Sequence, residues 1–492
     1  MGRRLLEAAT AALLLCGCTV GPDYKGPPRV LAKGGQNFAR GAEVQATPRR
    51  LDPRWWIALK DPELDRLEVA ALAANTDLEA ARARLRQSRA VLRAQQADLR
   101  PNTGASALYL HAHGGTGAIE SSLLGSSAST ASPQGEASAS SAAPLANVSD
   151  DINLYTVGFD ATWEVDLFGA RRRAVQSAAA TAQARQANLA DAEVSLTADV
   201  AQAYISLRDV QHRSALARAS AELQGRMLEL TRRRLEGGTA SILDVARLST
   251  QVGQTRADLA PLRAQIDAQL DRLAILTGHM PGELDADLTP AGPLPLPPQT
   301  VAIGDPASLL RRRPDIRAAE RQIAAQTALI GAHIADYFPK VELLGNLGFV
   351  STDVGQLLNG GSLVGVVAPA LQWKPFDFGR TRAAVDQARA GRGEAIAMYR
   401  STVLKALDDA ETSLSRYGTQ QVEVLELRRV MASADQAAIL QRQRYDGGTA
   451  TLIDTLDTER QRVAAEQALA EAEAGLTQDY VALQKSLGLG WE

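Results

Sequence analysis

From Tyr155 to Val165 the chain alternates. Tyr155, Val157, Phe159, Ala161, Trp163 and Val165 fall on one side, and Thr156, Gly158, Asp160 and Thr162 on the other. A period of two over about ten residues predicts a β-strand. Aromatics near both ends and one polar face fit a tilted membrane strand, with lipid on one side and a polar lumen on the other. A soluble sandwich edge with one buried face fits a single such strand equally well. A partner strand is predicted near 105–113, where Leu108 and Leu110 alternate with Tyr109 and His111. Two further strands are predicted at 341–350 and 363–373. Four strands cannot close a barrel in lipid, where an unpaired edge is not tolerated. A barrel therefore requires several chains.

The longest patterns are helical. Between Gly169 and Gly237 there is no proline and only Gly225 as an interior glycine. A helix of that length spans roughly 100 Å. A return arm runs from Ser241 to Leu276 and contains Pro261. The pattern recurs as a proline-free run from Arg380 to Asp446 and a return from Leu452 to Leu487. Leu189, Val194, Leu196, Val200, Tyr204 and Leu207 recur in a coiled-coil manner.

The recurrence is a duplication. WEVDLFGA (Trp163–Ala170) and WKPFDFGR (Trp373–Arg380) share Trp, Phe and Gly at an offset of 210 residues. The same offset relates RRRLEGGTASILD (Arg232–Asp244) to RQRYDGGTATLID (Arg442–Asp454), with seven of thirteen positions identical. Upstream, AANTDLEAARARL (Ala73–Leu85) resembles LRRRPDIRAAERQI (Leu310–Ile323) at an offset of 238, matching Asp77 to Asp315. The surplus in the first copy is placed at 114–152, which is mostly Gly, Ser and Ala; the equivalent connection near 351–362 is short. Each copy reads as helix, strand, loop, strand, long helix, GGTA turn, helix. The first spans 61–280 and the second 307–488. A Pro-rich linker at 281–306 joins them, and 489–492 form a tail.

Composition narrows the function. The 492 residues are 22% charged and 4% aromatic, with net charge −3. No basic excess points to nucleic acid. The basic runs 171–173, 232–234 and 311–313 read as solvated helix faces or ends. There is no GxSxG, phosphate loop or HExxH, so no enzyme is expected. His111 and His113 lack a third ligand and read as polarity at a loop mouth, so no metal site and no cofactor are expected.

The two cysteines lie in the opening MGRRLLEAATAALLLCGC. Arg3 and Arg4 precede a short apolar run, Ala8–Leu15, as in a secretory signal covering 1–17. Leu15-Cys16-Gly17-Cys18 resembles a bacterial lipobox, which implies cleavage before Cys18 and a covalent lipid on its sulfur. Acyl chains contribute ~0.8 kcal/mol per buried CH₂. Thr19 in place of an aspartate implies the outer membrane. The alternative is a secreted protein with one stray thiol.

Together these motifs resemble the TolC-like outer membrane factors, in particular the NodT-type efflux lipoproteins. The resemblance rests on the lipobox with GPDY (Gly21–Tyr24), RWWIALKDPELDRL (Arg54–Leu67), RRPDIRAAE (Arg312–Glu320), FPK (Phe338–Lys340), both Trp-Phe-Gly motifs, both GGTA turns and LGLGW (Leu487–Trp491). It implies a mainly α fold with membrane β. Four strands per protomer join a homotrimeric twelve-stranded barrel, and the long helices form an α-barrel in the periplasm. Residues 18–60 and 281–306 would form a small equatorial domain, with Trp163 and Trp373 at the membrane interface.

The resemblance further implies a duct from a periplasmic adaptor and an inner-membrane pump, of RND type, to the cell exterior. It assigns lumen-facing rings to Asp454 and Asp457, an apolar ring to Leu452 and a latch to Asp244 and Tyr445. The family's latch arginine is replaced by Ala450. Gly237, Gly238, Thr239, Gly447, Gly448 and Thr449 would contact the adaptor. Two other readings fit parts of the pattern: an anchored coiled-coil spacer without a pore, and export of protein or polysaccharide through the same fold.

Overall fold

The structure, a computed structural model, describes residues 19–30, 38–41, 44, 52–113 and 151–491, without the side chains of 112, 113, 151 and 152. The signal segment, Cys18 and most of the Gly/Ser-rich loop lie outside the described residues. A 3₁₀ turn (Trp55–Leu59) leads into α1 (Pro62–Ala74) and α2 (Thr76–Ala97). Then come β1 (Asn102–His113), β2 (Asp151–Val165), α3 (Ala170–Glu236), α4 (Ile242–Ala257) and α5 (Leu259–Leu276). After α6 (Asp285–Leu288) the second copy supplies α7 (Pro306–Arg312), α8 (Pro314–Ala335), β3 (Lys340–Ser351) and β4 (Leu363–Gln372). It ends with α9 (Arg380–Asp446) and α10 (Leu452–Ser486).

Two compact units cut across the duplication. The first takes the described residues up to Tyr24, Ala90–Ala178 and Gln326–Gly391. It holds one antiparallel sheet in the order β1-β2-β3-β4, so the two hairpins join through β2 and β3. The register gathers the charged and amide side chains of the sheet's centre on one face. Tyr155, Val157, Phe159, Ala161 and Trp163 share a face with Leu343, Leu347 and Phe349 of β3 and with Leu363, Val367 and Leu371 of β4. This face is apolar, yet Phe159, Leu347, Val367 and Leu371 are exposed on it. The opposite face carries Thr156, Asp160, Thr162 and Glu164 beside Glu342 and Asn346.

In β1 the register puts Tyr109 on the apolar face, where its ring stacks on Tyr155 at 4.8 Å. Leu108 and Leu110 fall on the face of Asp160 and Glu342, which also holds Leu154, Leu344, Val350, Val364 and Val366. Glycines let that face curl inward. Gly158 lies opposite Gly348, and a Cβ on Gly348 would come within 2.7 Å of the Gly158 Cα. A Cβ on Gly104 would meet the Asp160 carboxylate at 2.9 Å. Side chains at these places would block the close approach.

The second unit comprises Lys25–Arg89, Ala179–Ala325 and the chain from Arg392 on. Val194, Leu196, Val200, Tyr204 and Leu207 are buried, as their periodicity predicts, and Leu189 is half-buried. Tyr204 donates to Asp61, which also caps α1 by accepting from the backbone N–H groups of Glu63 and Leu64. Trp55 packs edge-on against Trp56 and Tyr480. The Pro-rich segment is held by side chains of the long helices. Arg208 donates to the Pro290 carbonyl, Thr477 to that of Pro295 and Tyr417 to that of Pro298. Burial pushes the Tyr417 hydroxyl up to about 12.

Two separated motifs meet here. Arg313 of the RRPDIR stretch donates to Asp315, Asp409 and the Ser486 carbonyl, and Arg317 lies over the Trp491 ring. The expectation of solvated basic runs is thus corrected for Arg313, which is largely buried among its carboxylate partners. The expected single return arm is also corrected. It divides into α4 and α5 at Asp258. Pro261 has no N–H to offer the carbonyl four residues back, so the ladder is interrupted there. The second copy has no proline in its return arm, and α10 runs unbroken for 35 residues.

Candidate functional site

Three regions carry the functional expectations: two strand-to-helix junctions in the first unit and the pair of GGTA tips in the second.

At the first junction the Trp163 indole donates to the Leu99 carbonyl at 3.0 Å. At the second, Trp373 donates to the Tyr337 carbonyl at 3.1 Å. Leu99 and Tyr337 are 238 residues apart, the offset of the upstream repeat. The duplicated Trp therefore makes the same bond twice, tying the end of each second strand to the turn before each first strand. Gly169 and Gly379 have φ of 83° and 87°, a region that favours glycine. They turn the chain from strand into helix. Asp166 accepts from the backbone N–H groups of Arg171 and Arg172 at the first helix start, and Asp377 from those of Gly379 and Thr381 at the second.

The run 171–173 is only partly solvated, and the reading is corrected at Arg173. Arg171 pairs with Glu164 and Arg172 with Asp166. Arg173 is only 4% exposed; it donates to the Val20 and Gly21 carbonyls and pairs with Asp23 at 2.8 Å. The segment following Cys18 is thereby fixed against the first junction. Val20 donates to the Phe168 carbonyl, and a Cβ on Gly169 would meet Thr19 at 2.3 Å.

The tips are near-copies. After α3, the N–H groups of Gly237, Gly238 and Thr239 bond to the carbonyls of Arg233, Leu235 and Arg234. After α9, Gly447, Gly448 and Thr449 bond to Gln443, Tyr445 and Arg444 in the same pattern. Gly238 and Gly448 have φ of 72° and 73°, so the second glycine of each turn carries the left-handed residue that ends the helix. The threonine hydroxyls donate back to the Arg234 and Arg444 carbonyls.

The candidate gate residues occupy definite places. Asp244 and Ser241 form a capping box at the start of α4. The Ser241 backbone N–H and hydroxyl hold the Asp244 carboxyl below its usual range. Asp454 and Thr451 form the equivalent box on α10. Asp457, one turn further, accepts from Arg460 at 2.7 Å and Gln461 at 2.8 Å. Leu452 is half-buried, whereas Ile453, Ile242 and Leu243 are exposed. Within one chain Asp244 and Tyr445 are not hydrogen-bonded to each other. Instead Arg234 donates to the Tyr445 hydroxyl and lies 5.0 Å over its ring. Arg234 belongs to a run read as solvated, and it is exposed, but it also ties the two copies together. The Ser/Thr-x-x-Asp spacing at both tips signals the caps that occupy Asp244 and Asp454, and no local pattern marks the Arg234 contact.

Just above the tips, Leu456 of the second copy packs on a cluster of Leu228, Leu248 and Val252 from the first. His111 sits near the outer end of β1, where its Nδ1 contacts the Asn153 oxygen at 2.8 Å. Among the described residues no group of three or more His, Cys, Asp or Glu is placed to hold a metal ion. No described helix is long and apolar enough to cross a membrane.

This geometry has close parallels. The sequence profile of the outer membrane efflux protein family matches residues 67–279 and 306–489. The probable efflux pump outer membrane protein SepC of Pseudomonas putida is 30% identical over 488 residues, covering 98% of this chain and 96% of that protein. The pyoverdine export outer membrane protein OpmQ of Pseudomonas aeruginosa is 30% identical over 499 residues, covering 100% and 98%. The solved outer-membrane channel OprN superposes with a TM-score of 0.83 at 34% identity, over 96% of this chain and 100% of that one. Fold, duplication and sequence agree: the chain belongs to the outer membrane efflux protein family and has the TolC-like channel fold.

Proposed function

We propose that three copies of this chain form the outer membrane duct of a tripartite efflux system. The duct receives small organic cargo from an RND-type inner-membrane pump through a periplasmic adaptor and releases it outside the cell. The observation that carries this reading is the sheet. One face is apolar and exposed, the other carries the sheet's charged and amide side chains and its closely opposed glycines, and both edge strands, β1 and β4, lack a partner among the described residues. Such a sheet is viable in lipid only when copies close it. Glycines on the polar face supply the curvature closure needs. A coiled-coil spacer has no use for these features, and no catalytic or cofactor chemistry is invoked beyond a covalent lipid on Cys18. Thr19, held against Gly169 at the strand-to-helix junction, favours a lipid entering the membrane at the level of Trp163 and Trp373, where amphipathic aromatics settle.

The gate lies at the tips. Asp454 and Asp457 supply carboxylate rings by threefold symmetry, Leu452 an apolar constriction, and Asp244 and Tyr445 contacts between neighbouring helix pairs. Arg234 supplies the cation at Tyr445 that Ala450 lacks. The turns at Gly237–Thr239 and Gly447–Thr449, with exposed Ile242 and Leu243, receive the adaptor.

The test is single-channel conductance in planar bilayers, comparing wild type with Asp454→Ala/Asp457→Ala. Small cation-selective openings that lose selectivity or widen in the variant are expected. Absence of conductance together with a monomeric mass in detergent would leave only the anchored spacer. Unchanged selectivity would keep the duct and move the gate to Leu452 and the Arg234–Tyr445 tie.

A further inference from the structure

Within one chain the two copies meet along β2 and β3, and that seam is a template for another. In the first hairpin Asn102 lies opposite Thr162. Moving these positions by the repeat offsets, 238 for the first strand of a copy and 210 for the second, gives Lys340 opposite Gln372. That pair stands in the second hairpin. The offsets therefore hold in three dimensions, residue for residue. Applied to the seam, where Phe159 lies opposite Leu347, they give Pro369 opposite Tyr109. These residues belong to β4 and β1, the two outer strands of the sheet.

We propose that β4 of one chain pairs antiparallel with β1 of a second copy, with Pro369 opposite Tyr109. This rests on the trimeric reading and fixes the register of its seam. Ala370 then faces Leu108, and Ala368 faces Leu110. The two leucines on this face of β1 thus meet Ala368 and Ala370, the small residues of a β4 face that also carries Val364 and Val366. Small residues oppose large ones, as close packing requires. The seam inside the chain places Asp160 opposite Asn346 and Gly158 opposite Gly348 at the equivalent positions. A slip of one residue would send each leucine to the wrong face of its partner strand.

The junctions carry the same message. Phe168 stacks on Phe338 at 4.5 Å, closing the first junction against the second copy of the repeat. The offsets turn this pair into Phe378 and Arg100 of the second chain. Phe378 is 95% exposed and Arg100 is exposed in the single chain. A guanidinium over a phenyl face is a favourable contact. It replaces the ring-on-ring contact of the internal junction.

Paired cysteines in the full-length protein test the register. Leu108→Cys/Ala370→Cys and Ala107→Cys/Leu371→Cys place thiols opposite each other across the seam. Opposed pairs alternate between wider and narrower spacing along an antiparallel ladder, so one of these adjacent pairs has the narrower one. Leu108→Cys/Val366→Cys is displaced by four residues, about 13 Å. Under mild oxidation, at least one of the first two variants should run as a covalent trimer on non-reducing gels, and the displaced pair should not. A trimeric mass in detergent with neither opposed pair crosslinked, or with the displaced pair crosslinked as well, overturns the register and leaves the trimer standing. A monomeric mass with no crosslink in any variant removes the trimer and the register together.

Discussion

The two Trp-Phe-Gly junctions have one design and two surroundings. At the first, Trp163 is half-buried, Phe168 is stacked on Phe338, and Gly169 is packed on Thr19. At the second, Trp373 is 55% exposed, Phe378 is bare, and a Cβ on Gly379 would meet nothing within 4 Å. Yet the indole bond and the left-handed glycine are present at both. Each junction also has a capping aspartate, but Asp166 and Asp377 stand one position out of step with the repeat, and only Phe378 of the two phenylalanines has a left-handed φ, of 53°. The repeated Trp and Gly set the shared part of the geometry, and burial is set by what each copy adjoins. The first junction is covered by its own chain and the second is left open.

The two junctions should differ most at their glycines. Alanine at either position places a side chain in the left-handed region, at about 1–2 kcal/mol. At Gly169 it also meets Thr19, adding about 1–3 kcal/mol of overpacking. Thermal unfolding in detergent should show Gly169→Ala losing clearly more than Gly379→Ala. Equal losses would mean that the N-terminal segment does not hold the first junction.

A smaller effect separates geometry from burial. Trp163→Phe and Trp373→Phe each remove one indole donor, at about 1 kcal/mol. The two losses should be nearly the same, although one indole is far more exposed. A loss confined to Trp163→Phe would show that the second junction is not formed in the assembled protein. Phe378→Ala should lower the dissociation temperature of the detergent trimer by the equivalent of about 0.5–1 kcal/mol. Arg100→Ala should do the same, and the double variant should do no more than either alone.

The smallest expected effect is pH-dependent. The hydroxyl and backbone N–H of Thr381, then the N–H of Gly379, hold the Asp377 carboxyl below its usual range. A lowered folded value means that its stabilisation is complete above the ordinary carboxylate pKa. The contribution is lost as pH falls through the lowered value. Asp377→Ala should therefore melt below wild type at neutral pH, and the gap should close on acidification.

Much of the fold was legible because it was written twice. The runs free of proline became α3 and α9, each of 67 residues, and the alternating stretches became the four strands. Strand ends were less legible: β2 begins at Asp151, ahead of the alternation that revealed it, because pairing with β1 continues there. Arg232–Arg234 are exposed as read, but two residues of the other basic runs, Arg173 and Arg313, are not, for a related reason. Arg173 and Arg313 take partners 152 and 173 residues away in sequence, at Gly21 and Ser486, and no local pattern announces them. At the tips, composition could indicate a turn but not that Arg234 crosses to Tyr445.

The interruption at Asp258 also has a mechanical meaning. A continuous helix resists bending along its whole length, and a break in its hydrogen-bond ladder concentrates compliance at one point. The first copy's return arm has such a joint a few turns above its tip, whereas the second copy's arm, α10, is an unbroken strut. Each chain thus pairs a jointed limb with a stiff one. A load applied at the tips is taken up first in the jointed limb, while the stiff limb carries it along its whole length.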